Sequence, residues 1–267
     1  MKSIFALLTF LLLSFTTQPT EKADDFCSGV RNTAWHGGES INYHVYYTLA
    51  GIYVYGGEAN FNVYNERYNG KPVYHVVGDG KTIPFFDGFF KVRDKYESYI
   101  DTATLQPYKF IRNILEGDFK KFETVTFNQQ ANTATSQGGT FKTPDCVQDV
   151  LSAIYYSRNI DFNKYKPGDR IPFNMFIDDK TYGLYIRYMG KEKVKTKYGR
   201  FNAIKFKPLL IEGTIFKGGE KMTVWVSDDA NRIPVRIESP ISVGSVKVDM
   251  MGYKNTRHKL TGLISTK

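Results

Sequence analysis

Across residues 41–253 the apolar side chains recur mostly at every second position, and this period rules out a predominantly helical fold. Ile41, Tyr43, Val45, Tyr47 and Leu49 alternate with Ser40, Asn42, His44, Tyr46 and Thr48. Such alternation puts one set of side chains on the buried face of an extended strand and the other on its wet face. Ile52 and Val54 continue the pattern, the Gly56-Gly57 pair marks a bulge or bend, and Ala59, Phe61 and Val63 resume it. Asn69-Gly70 then makes a hairpin turn ahead of Val73 to Val77. Similar runs cover 91–100, 108–115, 119–127, 132–141, 171–177, 182–189, 193–198, 201–212, 221–227, 232–238 and 242–253. Many short strands at close spacing predict a mainly β fold: a strongly curved antiparallel sheet or a partly closed β-barrel.

One segment departs from this rhythm. Val147, Val150, Leu151, Ile154 and Tyr155 follow helical spacing, and Thr143, Pro144 and Asp145 ahead of them carry the chemistry of a helix start. The helix is expected to end near Asn159. Its apolar stripe needs a partner, and the concave face of the curved sheet is the available one. No linker divides the chain: the polar stretch 128–140 suits a hairpin arm, and Lys166-Pro167-Gly168-Asp169 is a turn. Residues 27–255 therefore read as one β-rich domain, followed by a frayed tail at 256–267.

The N-terminus specifies a compartment. Lys2 precedes an apolar run from Ile4 to Phe15, broken only by Thr9 and Ser14. A bilayer-spanning helix needs about 20 apolar residues, so the run has the length of a signal-peptide core instead. Residues 1–20 are expected to be a signal peptide cleaved at about 17–26, leaving an exported chain without a transmembrane anchor. Asp24, Asp25 and Phe26 before Cys27 do not make a lipidation site. In an oxidising compartment Cys27 and Cys146 can bond to each other; two free buried thiols are the alternative.

Chemistry is sparse. The chain lacks a phosphate-binding loop and a Gly-x-Ser-x-Gly elbow, and its four histidines (36, 44, 75 and 258) lack the paired spacing of metal ligands. No catalytic residue, metal or cofactor is assigned. The formal charge of +9 reads as a basic surface without specific nucleic-acid recognition. Arg93-Asp94, Asp149, Arg158, Asp228-Asp229 and Arg232 stand beside bulky apolar groups, either as structural ion pairs or as a cluster orienting a ligand head group. The more informative excess is aromatic, with 19 Tyr, 20 Phe and 2 Trp. A sheet lined by such rings can enclose an elongated apolar ligand, or the rings can fill the interior themselves. Tyr43, Val45, Tyr47, Val54, Phe61 and Trp225 are the candidate wall of a ligand site, with Leu151, Ile154 and Tyr155 as its helical plug.

Three longer segments carry a family resemblance. They are Lys91 to Asp101 (KVRDKYESYID) with Leu105 and Pro107, Gln148 to Arg158 (QDVLSAIYYSR), and Val224 to Asp229 followed by Arg232 to Ile237 (RIPVRI). Together with Gly38-Glu39 and Ile241 to Ser245 they resemble the DUF3108 family over about residues 37–254. The resemblance implies an exported protein of the bacterial envelope, periplasmic or extracellular, of unknown function and without established catalytic residues. More distantly, the Trp-bearing strand, acidic turn and Ile-Pro-Val-Arg-Ile strand are similar to the LolA/LolB-like periplasmic lipoprotein carriers, which hold acyl chains in a half-closed sheet. Only one convincing helix follows the leader here, fewer than those carriers use as a lid. The expected function is binding or carriage of an apolar or amphipathic ligand such as a lipid, without catalysis. A structural or interaction module with a filled core, recruiting an envelope protein partner through its strand edges, is the second expectation. A hydrolase of wall polymers using Asp94, Asp149 and Asp229 is the third.

Overall fold

Period-two alternation becomes fifteen strands in one antiparallel sheet. The computed structural model describes residues 26–27, 29, 31–49, 52–211, 218–241 and 244–267; the expected signal peptide lies outside them. In chain order the strands are β1 (Ser40–Leu49), β2 (Ile52–Tyr68), β3 (Lys71–Thr82), β4 (Arg93–Asp101), β5 (Pro107–Glu116), β6 (Phe119–Asn128), β7 (Thr133–Ser136), β8 (Gly139–Lys142), β9 (Arg170–Ile177), β10 (Lys180–Lys195), β11 (Gly199–Pro208), β12 (Thr223–Ser227), β13 (Pro234–Pro240), β14 (Ser245–Lys254) and β15 (Leu263–Thr266). A short helix α1 (Pro84–Asp87) joins β3 to β4, and α2 (Val150–Ser157) lies between β8 and β9.

The sheet is two meanders sewn together at β1 and β14. Its order runs β8-β7-β6-β5-β4-β3-β2-β1-β14-β13-β12-β11-β10-β9, with β15 added beside β11. Local chemistry sets the turns. Asn69 and Gly70 both take positive φ (50° and 78°), the conformation a tight hairpin requires. Gly56 is the unpaired residue of a bulge, since Val45 faces Gly57 while Tyr46 faces Tyr55. At Gly57 a side chain would meet the Lys81 carbonyl oxygen at 2.5 Å, so β3 can lie this close only over a glycine.

The sheet curls but does not close. No ladder joins the margins β8 and β9; Gln148 covers the β9 edge instead. Its N–H donates to Asn174 and its carbonyl accepts from Phe176, both at 2.9 Å. Phe176 then packs with Phe110, Phe127, Ala134 and Val147, so side chains from β5, β6 and β7 bridge to β9. Arg112 pairs with Glu123 at 2.6 Å and with Asp178, whose N–H donates to Glu123 at 3.0 Å. Ser136 donates to Asp179 across the same seam.

Three expectations change. The central helix starts after Asp149, not at Thr143 to Asp145, because Cys146 sits at φ 55° and Gln148 is used as a strand partner. The expected strands 182–189 and 193–198 are one strand, β10, with its irregularity between Tyr188 and Gly190. Residues 256–267 are not frayed: Leu260 is buried, the Asn231 amide bonds the His258 carbonyl at 3.0 Å, and β15 pairs with β11.

Cys27 and Cys146 form a disulfide with Cα atoms 5.5 Å apart, across 119 positions of sequence. Beside it the buried Phe26 ring stacks on Tyr156 at 4.6 Å and on Phe173 at 4.8 Å. Closing so long a loop contributes about 4–5 kcal/mol in the chain-entropy account. Replacing both cysteines by serine should therefore lower unfolding free energy by a few kcal/mol. Urea denaturation with and without reductant checks this: the wild type should shift under reductant and the double variant should not.

Candidate functional site

The space between α2 and the sheet is occupied by interlocking side chains. Leu151, Ala153, Tyr155 and Tyr156 of the helix meet Val63, Val76, Ile100, Phe173, Ile186, Ile204, Phe206 and Val224 in one buried cluster. Trp35 sets its ring edge-on against Tyr155 at 4.8 Å and Tyr74 at 4.6 Å, and donates its indole N–H to the Tyr155 carbonyl at 2.9 Å. Phe162 stacks on Phe206 at 5.8 Å.

The nine sequence-selected residues do not form one wall. Leu151 and Tyr155 are buried in this cluster, whereas Tyr43 and Trp225 belong to a second one with Phe201, Ile233, Val235 and Met250. Phe61 packs against both clusters, and Val45 and Tyr47 are half-buried. Val54 is exposed, and Ile154 is 37 % exposed on the outer side of α2. Alternation on β1 holds for Ile41 and Tyr43 and fails after Val45, where β2 carries the extra residue Gly56 opposite the Val45–Tyr46 step. Beyond that point Tyr46 is the buried residue, and Val45 and Tyr47 on either side of it are half-buried. On β12 the residue skipped is Val235 of β13, opposite the Trp225–Val226 step, and Val224, Trp225 and Val226 are all buried.

Polar groups buried with these rings are paired structurally. Arg158 at the C-terminus of α2 forks onto Glu39, with Nη1–Oε1 at 2.5 Å and Nη2–Oε2 at 2.8 Å, and its Nε donates to the Asn231 carbonyl at 3.0 Å. Burial works against the guanidinium charge, but Glu39 more than offsets it and raises the Arg158 pKa. At the other end of the helix the Asp149 carboxylate accepts from the Ser152 N–H at 2.8 Å and the Ser98 hydroxyl at 2.6 Å. Ser152 returns the contact to the Asp149 N–H, completing a capping box. Complete burial nevertheless pushes the Asp149 pKa up to about 7. Burial, aided by the Glu116 charge, also pushes Asp94 up to about 7.

Asp94, Asp149 and Asp229 are not gathered for acid–base work. Asp149 caps one end of α2. Asp229 orders the β12–β13 turn, whose Arg232 reaches the Arg158 carbonyl at the other end. An eight-residue helix is about 12 Å long. Asp94 lies four positions from Ser98, the Asp149 partner, or about 13 Å along β4. Among the described residues no group of three or more His, Cys, Asp or Glu is arranged to hold a metal ion.

The feature that alternation did not single out lies at one end of the curled sheet. Eight of the twelve exposed large hydrophobic residues described fall there: Ile52, Tyr53 and Val54 on the β1–β2 hairpin, Phe85, Phe89 and Phe90 around α1, and Phe119 and Phe122 at the β5–β6 hairpin. The signal for it was the sequence Pro-Phe-Phe-Asp-Gly-Phe-Phe at 84–90, apolar but without a strand period. Behind Tyr53 opens a cleft of about 200 Å³ lined by Lys195, Thr196, Lys197, Arg236, Lys247 and Lys267.

Glu39→Gln should cost about 3–5 kcal/mol, because it leaves the buried Arg158 charge uncompensated. Replacing Glu39 and Arg158 together by methionine should cost less than that, and chemical denaturation of the three proteins compares them. For Asp94 and Asp149 the native pKa lies above the unfolded value of 3.8, so the native state holds protons that the unfolded chain releases. Their contribution is full below pH 3.8 and falls as pH rises to about 7. Asp94→Asn should flatten the decline of thermal midpoint with pH over that window, as read by calorimetry.

The fold has relatives of distant sequence. A β-barrel-like protein of the domain of unknown function DUF1849 from Brucella abortus aligns with a TM-score of 0.55 at 7 % identity, covering 83 % of this chain and 99 % of that one. A protein with a YmcC-like fold from Bacteroides fragilis aligns at 14 % identity and a TM-score of 0.36, covering 82 % of this chain and 97 % of that one. No protein of curated function matches the chain in sequence. The model of DUF3108, a protein family of unknown function, matches residues 42–251, and with most of its length so accounted for the chain belongs to the DUF3108 family.

Proposed function

We propose that this chain is an exported, non-enzymatic module of the bacterial envelope that acts through its outer surface. The observation that carries the reading is the ring packing beneath α2, where Phe26 stacks on Tyr156 and Phe173 and Trp35 sits edge-on to Tyr74 and Tyr155 in the space a cargo would need. Carriage of an apolar ligand inside the bowl, the first expectation from sequence, draws no support from this packing; the filled-core alternative does. The separate placements of Asp94, Asp149 and Asp229 likewise favour a non-enzymatic role.

Export is supported by two independent features: the leader-like run at 4–15 and the Cys27–Cys146 disulfide, a bond that persists in oxidising compartments. Among the described residues no helix is long and apolar enough to cross a membrane. Recruitment of a partner by strand addition has little to work with, since β8 has four residues and Gln148 occupies part of the β9 edge.

Native mass spectrometry of protein purified from the envelope without detergent tests the filled core. The expected result is the mass of the mature polypeptide alone. A stoichiometric lipid adduct that survives gentle desolvation would restore the carrier reading.

A further inference from the structure

The exposed apolar end is continuous and braced from behind. The Gly56 carbonyl accepts the Ile83 N–H at 3.0 Å, and the Phe86 ring lies against Gly56, which joins the β1–β2 hairpin to α1. Phe85, Phe86 and Phe89 pack among themselves with ring centres 5.6–6.4 Å apart. Phe90 lies over Gly117, where a side chain would meet its ring at 2.8 Å, and the Gly117 N–H donates to the Lys91 carbonyl at 2.8 Å. From there the chain leads directly to Phe119 and Phe122.

The support behind the rings is polar and tightly tied. Arg93 clamps Asp87 at 2.5 and 3.0 Å, and Thr82 donates to the same carboxylate at 2.5 Å. Hydrogen bonds from Arg93 and Thr82 hold the Asp87 pKa below its ordinary value. The crossover is thus fixed through its polar residues while Phe89, at 78 % exposure, and Phe85, at 68 %, are left in water. A patch of this kind marks an interaction surface.

The charges around it indicate what it meets. Lys91 and Lys120 are exposed beside the rings; of the nearby acids, Asp87 is neutralised by Arg93, Asp118 is exposed, and Glu116 lies half-buried opposite Phe119, beside Asp94. Lys247 donates to the Tyr53 hydroxyl at 2.7 Å and stands 4.3 Å over its ring. Tyr53 is shared between the apolar end and the basic cleft. The cleft places five cationic side chains against two carboxylates, Asp249 held by Arg236 and Glu238 held by Lys247. Apolar rings that enter the acyl boundary, with lysines and a basic cleft at headgroup level, match an anionic lipid surface.

We infer that this end of the sheet docks on the surface of a bilayer containing anionic lipid, with Ile52, Phe85 and Phe89 inserted and the Tyr53 cleft taking headgroup phosphate. The inference rests on the reading of the protein as a surface-acting module and supplies its partner. Lipid remains in the membrane; the protein comes to it.

Flotation of the mature, oxidised protein with vesicles tests this. One set is phosphatidylcholine alone, and the other is phosphatidylcholine with phosphatidylglycerol. Binding is expected on the anionic vesicles, weakening as salt is raised. Phe85→Ser with Phe89→Ser should lower partitioning by about tenfold or more, because two inserted rings are removed from the acyl boundary. Lys197→Glu and Lys247→Glu should each lower it by about fivefold or more on the anionic vesicles. Phe85, Phe89 and Lys197 lie at the surface and Lys247 is half-buried against Tyr53 and Glu238; near-ultraviolet circular dichroism confirms that each variant keeps the wild-type core. Absence of binding to either vesicle, or rim variants that float like the wild type, overturns the inference. So does concentration-dependent dimerisation that the rim variants abolish while no vesicle is bound. These failures leave the filled-core reading standing; a lipid adduct in the native mass of protein recovered from the vesicles would instead overturn that reading.

Discussion

A curled sheet whose margins do not meet leaves two needs: an apolar inner face without a partner and a bare strand edge. Residues 146–158 answer both. Gln148 gives β9 its missing backbone partners, and α2 lays Leu151, Tyr155 and Tyr156 against the inner face. The segment is tied at both ends, by the disulfide and the Asp149–Ser98 contact before the helix and by the Glu39–Arg158 fork after it. Asn159 adds a further tie, accepting the N–H groups of Thr33 and Ala34 at 2.8 and 3.2 Å. Remove this segment and the inner face loses its cover, leaving the β1–β14 ladder and the Arg112 and Ser136 contacts to hold the two halves together.

Much of the architecture was legible because alternation is a local property. The strand runs, the Asn69-Gly70 turn and the Gly56-Gly57 bulge could be read from neighbours in sequence, and the structure has all of them. What was not legible depends on distant partners. The helix start moved because Cys146 and Gln148 answer to Cys27 and β9, not to their own neighbours. The wall residues scattered because burial depends on which distant elements cover each strand: Tyr43 and Trp225 are covered by a different cluster from Leu151 and Tyr155, and the bulge residues opposite β1, Gly56 and Met251, belong to β2 and β14. Arg158 could be recognised as a charge among apolar groups, but nothing in the sequence pointed to Glu39, 119 positions away, as its partner.

The aromatic excess turns out to serve two ends. On strands and on α2 the rings are interior packing, placed by period. Around α1 they are external, placed by a polar clamp of Thr82, Asp87 and Arg93 that fixes the crossover without covering its phenylalanines. The same residue type is therefore buried or exposed according to whether a strand pleat or a braced loop presents it. Composition alone cannot distinguish the two, since both contribute equally to the count.

The seam between β1 and β14 has a consequence for how the molecule is made. β1 lies inside the sheet, yet one of its neighbours comes from near the other end of the chain, with Ser40 opposite Lys254. Such high contact order slows folding, because loop-closure entropy must be met before the pairing returns anything. A polypeptide threaded through a translocation pore, N-terminus first, would emerge with β1 half-paired and stay so until β14 followed. The wiring therefore delays commitment to the native topology until nearly the whole chain is available to pair.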